Sequence, residues 1–444
     1  MGGLPATTRW RPSGALARSL LLGGLGLGGS VLSGEPVLLV LAAPFAVVAV
    51  LMLRHRPQRE PSVTSYAGQG LLHEGQGTTL RLEVRDGAEV EHVLRALAPA
   101  EHVASRPSPA RVSALVSADG QVDGQVDVPD VVVVPERWGR RRLGEEQVAL
   151  STRWAGFRWG PTTLTGRAVD VLPGTLPTSG HAELPDPAGL VGRHRSRRTG
   201  TGAELAEIRE FRLGDRLRRI SWRVTSRTGT VHVTTAPAEE DAGVLLLLDA
   251  LADHGRSGGL GGSQSTLDVA VRAAASLASD HLRAGDRVGL RVLGPSPVVL
   301  RPGGGRGHLH RLLTTLARVE PGGGGERGVE VPTRLPVMAG TVVVVLTPAL
   351  DERVTTMAAT ALRHGLPTVV VDTLTDQVRP GVGEGADPRV VEAAWRLRLL
   401  EREPVLDALA ALGCPVVAWR GPGTLDAVLA GLRRRGPVHA GSGA

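Results

Sequence analysis

Two uncharged stretches open the chain, Ser19–Gly34 and Pro36–Leu53, and only Glu35 separates them. About 17–25 apolar residues cross a bilayer, so the pattern predicts a transmembrane helical hairpin with helices at about 16–34 and 36–53. The second, Val37–Leu53, carries Pro44, and the first is rich in glycine. Gly24 and Gly28 form a small-xxx-small pair expected to let the two helices approach closely. Arg9, Arg11 and Arg18 precede the first stretch, and Arg54, Arg56 and Arg59 follow the second. By the positive-inside rule both flanks lie in the cytoplasm and the Glu35-Pro36 turn lies outside. A cleaved signal peptide over residues 9–34 is the less favoured reading, because no clean small-residue cleavage site precedes Glu35.

From about Val63 to Leu172 the period changes to two. Thr79–Val84, Gln125–Val128 and Gln147–Ser151 alternate, and Val131–Val134 is a β-branched run. Short strands at this spacing predict a small all-β domain over 60–172, an Ig-like sandwich or a barrel. The cluster Trp154, Phe157 and Trp159 is read as its core rather than a recognition surface. Residues 173–203, rich in Pro, Gly and Ser, read as a linker.

After residue 241 strands alternate with helices. Strands are expected at Val244–Leu248, Arg287–Leu293, Thr341–Leu346, Thr368–Asp372 and Val416–Trp419. Helices are expected near Leu267–Ala284, Gly307–Val319, Glu352–His364 and Thr424–Arg435, with a long helical stretch from Pro388 to Leu412 interrupted at Pro404. This order predicts a mostly parallel, Rossmann-type sheet covered on both faces.

Composition narrows the chemistry. All 51 basic residues are Arg, with neither Lys nor Asn among the 444 residues. A Walker A loop, a Schiff-base lysine and a Ser–Lys dyad are therefore excluded. Cys414 is the only cysteine, which excludes intrachain disulfides and cysteine zinc sites. The net charge of +7 is localised, since Arg193 to Arg227 alone holds eleven Arg against Glu204, Glu207, Glu210 and Asp215.

The densest motif lies in residues 204–240. It reads Glu210-Phe211, Gly214-Asp215, Arg218-Arg219-Ile220, Trp222 and Ser226-Arg227. Gly214-Asp215 is a turn or cap signal. Arg216, Arg219 and Arg223 fall on one helical face, with Ile220 and Trp222 as apolar anchors. The motif resembles that of the domain-of-unknown-function-58 family, with Ser226 where that family usually has Ala. The resemblance extends by architecture to the hairpin, the β domain and the α/β domain. It implies a von Willebrand factor A-like domain at 241–444, a bacterial membrane protein, and association with MoxR-type AAA+ ATPases.

Such domains often hold a cation through an Asp-x-Ser-x-Ser adhesion site, which asks for several oxygen ligands. Here the stretch reads Asp249-Ala250-Leu251-Ala252-Asp253, and Thr347-Pro348 stands where an aspartate is usual. Asp249 and Asp253 are the residual ligand candidates, and no metal or other cofactor is expected. Gly255-Arg256-Ser257-Gly258-Gly259 matches G-x-S-x-G but lies in a loop well past its strand. His308 and His310 offer two nitrogens without a third ligand, and Cys414 reads as a small buried residue.

The expectation is a non-enzymatic, membrane-anchored scaffold or adaptor at the inner or plasma membrane, with its globular domains in the cytoplasm. Glu210, Phe211, Gly214, Asp215, Arg218, Arg219, Ile220, Trp222, Ser226 and Arg227 are its candidate partner-binding residues. Its partner would be a protein, by resemblance a MoxR-type ATPase. The alternative is an anionic-ligand or nucleic-acid binder using the Arg193–Arg227 cluster.

Overall fold

The computed structural model describes residues 9–115, 121–122, 125–126, 128–175, 195–200, 207–211, 221–239, 243–322, 335, 341–376, 378–381 and 385–419. They fall into two compact units, Met1–Leu172 with Gly259–Gly261, and Pro173–Gly258 with Gly262–Ala444.

The first unit begins with helices α1 (Gly14–Ser33) and α2 (Pro36–Arg54). Both are long and apolar enough to cross a membrane. Ser13 caps α1, its hydroxyl accepting from the Leu16 N–H at 3.2 Å. Gly34, at φ 70°, closes it by donating to the Ser30 carbonyl at 2.9 Å. That left-handed position favours glycine. Pro36 then starts α2 where a missing N–H costs nothing.

The helices approach through Gly23 and Gly26, not through Gly24 and Gly28. A Cβ on Gly26 would lie 2.5 Å from that of Ala42, and one on Gly23 would lie 3.1 Å from the Ala46 nitrogen. Gly24 and Gly28 meet no described atom within 4 Å. A glycine-rich helix offers several small pairs, and the phase set by Ala42 and Ala46 selects the one spaced by three.

The β-rich part of this unit contains two antiparallel sheets and a smaller mixed one. In the first sheet the order is Arg11–Pro12, Phe157–Leu164, Glu146–Thr152, Val90–Leu97, Arg111–Leu115. The second centres on Thr78–Arg85 and Val131–Pro135. Leu82 and Val84 from the second share a core with Val93, Val148, Leu150 and Trp159 from the first. Alternation supplies the apolar positions, and one charged pair interrupts them. Arg95 is 2% exposed, donates to Glu146 at 2.9 Å and also caps the Leu80 carbonyl. The Ser65 hydroxyl also donates to Glu146, at 2.6 Å. This satisfaction is what makes a buried ion pair tolerable. Phe157 and Trp159 are buried as expected, but Trp154 is 51% exposed. Trp154 and Ala155 take positive φ (62° and 54°), which breaks the strand alternation just before Phe157.

The second unit is built on a six-stranded sheet: β1 (Gly243–Asp249), β2 (Arg287–Leu293), β3 (Val298–Gly303), β4 (Thr341–Thr347), β5 (Thr368–Asp372) and β6 (Val416–Ala418). Its order is β3-β2-β1-β4-β5-β6. All neighbours are parallel except β2 and β3, whose pairing is antiparallel. The edge strand β3 had no counterpart in the sequence pattern, because Pro302 and Gly303 end it and its alternation is weak.

Among the described residues, five helices belong to this unit: α3 (Trp222–Thr228), α4 (Thr266–Ala284), α5 (Gly305–Leu316), α6 (Glu352–Arg363) and α7 (Pro388–Ala411). Sixteen residues of α4 are buried, and Leu247, Val343, Val345 and Val370 form a core with Met357 and Leu409. β1 and β4 are consequently continuous apolar runs. Helix α7 runs unbroken through Pro404, where an interruption was expected. Separately, Glu207–Glu210 and Arg195–Gly200 flank His232–Glu239 in a small antiparallel sheet. The helix expected at Thr424–Arg435 lies outside the described residues.

In detergent, Gly26→Val should lose about 1–3 kcal/mol from the hairpin by overpacking against Ala42, while Gly24→Val should be near neutral. Thermal unfolding of the two variants of the full chain checks this; equal losses would contradict the observed phase.

Candidate functional site

Parallel α/β sheets present their chemistry at the carboxyl ends of the strands, and two buried carboxylates stand there. Asp249 ends β1 and is 4% exposed. Its Oδ2 accepts from the Thr347 hydroxyl at 2.6 Å and its Oδ1 from the Leu251 N–H at 3.1 Å. Burial pushes this carboxyl up to about 6, against the two hydrogen bonds that favour the charged form. Thr347 ends β4, beside β1, and is 1% exposed. Its oxygen also accepts from the Ala349 N–H at 3.0 Å. Sealed from solvent on both sides, the pair is a clamp between strands.

Asp372 ends β5. Arg402, from α7, pairs with its carboxylate, and the Leu374 N–H donates to it at 3.0 Å. Burial raises this carboxyl too, while Arg402 pulls it the other way. The same guanidinium donates from Nε to the Pro348 carbonyl at 2.7 Å. One arginine therefore fastens α7 to the loops after β4 and β5. Next to it Asp351 caps α6 and binds Arg353 at 2.7 Å, which holds the Asp351 carboxyl below its usual range.

A cleft of about 690 Å³ opens beside these groups, lined by Arg272, Asp372, Arg379, Trp395, Arg402 and Trp419 among others. Its charges are mixed: Arg402 pairs with Asp372, and Arg379 donates to the backbone carbonyl of Asp376 at 2.8 Å.

The metal candidates have other partners. Asp253 accepts from the Leu267 N–H at 3.0 Å and from the Thr266 hydroxyl at 3.4 Å, at the start of α4. Among the described residues no three His, Cys, Asp or Glu side chains converge on a metal position. The Nε2 of His308 lies 2.7 Å from the Val288 carbonyl, so it is spent in the core. Cys414 is fully buried and its thiol faces the Thr368 carbonyl at 3.3 Å. Ser257 sits in a loop whose Gly258 N–H donates to the Ser263 carbonyl, far from a strand-to-helix elbow.

Of the signature residues, Gly214, Asp215, Arg218, Arg219 and Ile220 lie outside the described residues, as does Arg216. Glu210 ends the strand Glu207–Glu210, paired across from His232, and the Phe211 N–H donates to the Val231 carbonyl at 2.7 Å. Trp222 starts α3 and is 69% exposed, so it does not act as the apolar anchor expected of it. The Ser226 hydroxyl donates back to the Trp222 carbonyl at 2.8 Å, and Arg227 lies exposed in the last turn. The structure thus brings Trp222, Ser226 and Arg227 together on one short helix. Sequence reasoning did not single out Asp372 and Arg402, although Asp372 ends its strand just as Asp249 does.

Linkage gives the pH behaviour of the clamp. Below about pH 4 Asp249 is protonated in both the folded and unfolded chain. Between about 4 and 6 only the unfolded chain ionises, so stability falls as pH rises, by ~1.4 kcal/mol per unit of offset. Asp249→Asn removes this slope, and its stability relative to wild type should rise across that window. Urea unfolding of the detergent-solubilised chain at several pH values measures it, and parallel wild-type and variant curves would contradict the assignment.

Comparison with known proteins matches only part of the chain. Uncharacterised proteins of Mycobacterium bovis and of two strains of Mycobacterium tuberculosis are each 32% identical over 142 residues. The aligned stretch covers 31% of this chain and 43% of each relative's length. Residues 207–389 match the family described as "Protein of unknown function DUF58", which leaves the hairpin and the β-rich unit outside the match.

Proposed function

We propose that this protein is a non-enzymatic scaffold held in the membrane by α1 and α2, with its folded units on the cytoplasmic side. In this reading the β-rich part is an Ig-like sandwich and the second unit is a von Willebrand A-like domain that binds another protein. The observation that carries the binding role is the exposed helix α3. It presents Trp222 and Arg227 to solvent inside the matched family segment. Trp and Arg are the residue types most enriched at binding hot spots. At the carboxyl ends of the strands, by contrast, the carboxylates of Asp249 and Asp372 are occupied by Thr347 and Arg402. That supports an architectural role for these groups over a catalytic one.

By the family resemblance the partner is a MoxR-type AAA+ ATPase, with the pair acting in assembly or maturation of other proteins. The test is copurification of the detergent-solubilised full chain with such an ATPase in the presence of ATP. Trp222→Ala should weaken the association by at least about tenfold. Absence of association, or association indifferent to Trp222→Ala and to Asp215→Ala, would sink the proposal.

A further inference from the structure

The foot of the hairpin is joined directly to the β-rich part of its own unit. Arg11 and Pro12 pair with Arg158 and Phe157. The Ser13 N–H donates to the Gly156 carbonyl at 2.9 Å, and the Ser13 hydroxyl caps α1. On the other helix Met52 packs where Gly156 lacks a side chain, since a Cβ there would lie 2.8 Å from that of Met52. Leu16, Ala49, Met52 and Phe157 close the junction as one buried cluster. The loop Arg153–Gly156 is thereby fixed at the end of α2.

That loop is built at a cost. Trp154 and Ala155 are consecutive non-glycine residues at positive φ, a conformation that surrounding structure must impose. Glu91 accepts from the Trp154 N–H at 3.0 Å, and Thr152 accepts from the Phe157 N–H at 3.0 Å. The result turns Trp154 half out to solvent while Phe157 and Trp159 are buried. Around it Arg11, Arg54, Arg56 and Arg158 are exposed and, among the described residues, make no ion pair. Of the nearby carboxylates, Asp86 meets Arg59 at 3.6 Å, Glu89 meets His55 at 3.7 Å, Glu91 meets Arg153 at 3.9 Å, and Glu60 accepts from the Trp10 N–H at 3.4 Å.

We propose that this collar is a binding surface for anionic phospholipid headgroups, with Trp154 seated at the bilayer interface and the arginines on the phosphates. Tryptophan concentrates at membrane–water interfaces, and guanidinium groups bind phosphate through paired hydrogen bonds. Charge complementarity and continuity with two membrane-length helices select lipid as the occupant. The inference rests on the membrane-anchored reading above and adds that the β-rich unit lies against the surface instead of hanging from a tether.

The full chain in nanodiscs of phosphatidylcholine, with and without phosphatidylglycerol, provides the test. Lipids brominated near the carbonyl should quench wild type more than Trp154→Phe, by about one tryptophan's share of the seven present. Preference for phosphatidylglycerol, read from the lipid co-isolated with the protein, should fall at least fivefold in the combined Arg54→Gln, Arg56→Gln, Arg158→Gln variant, since each basic group near the surface contributes about that factor. If the chain resists alkaline extraction but both variants match wild type, the collar faces water or a protein and the proposal fails alone. Release of wild type by alkaline extraction would overturn the membrane reading and the collar with it.

Discussion

Two carboxylates end strands in a sheet that solvent hardly reaches, and the second unit is organised around satisfying them. A buried, unpaired carboxylate is strongly unfavourable. The chain answers differently at each position. Asp249 receives a hydroxyl and an N–H and has its carboxyl raised to about 6. Asp372 receives the guanidinium of Arg402, brought from a different helix. The two solutions tie β1 to β4, and α7 to the loops beyond β4 and β5.

The first unit applies the same economy to shape. Glycine at 23 and 26 removes side chains where Ala42 and Ala46 approach, and glycine at 156 does so where Met52 meets the β-rich part. Close helix packing and attachment to a sheet are both obtained by omitting atoms. Packing of this kind suits apolar helices, which gain little from hydrophobic burial against one another in lipid.

Much of the fold was legible in the residues. The hairpin, the alternating strands and the parallel core follow from hydrophobic period alone, as with Thr368–Asp372, whose bounds the sequence pattern matches. What escaped depends on phase or on distant partners. Gly24 and Gly28 form as good a motif as Gly23 and Gly26, and only the facing alanines decide between them. Trp154 shares a segment with Phe157 and Trp159, but two residues at positive φ reverse which side it faces. Asp249 was placed correctly by its strand end, whereas the pairing of Arg402 with Asp372 depends on how α7 packs across the strand ends, which no local pattern shows. The signature around Gly214 and Asp215 is plain in sequence and lies outside the described residues.

Protease protection of the full chain in inside-out membrane vesicles tests the tethered arrangement most directly. The proposed topology predicts that added protease digests everything beyond about residue 60, while a fragment containing Gly14–Arg54 survives with the vesicles. Full protection of the folded units, or loss of the hairpin fragment along with them, would contradict it.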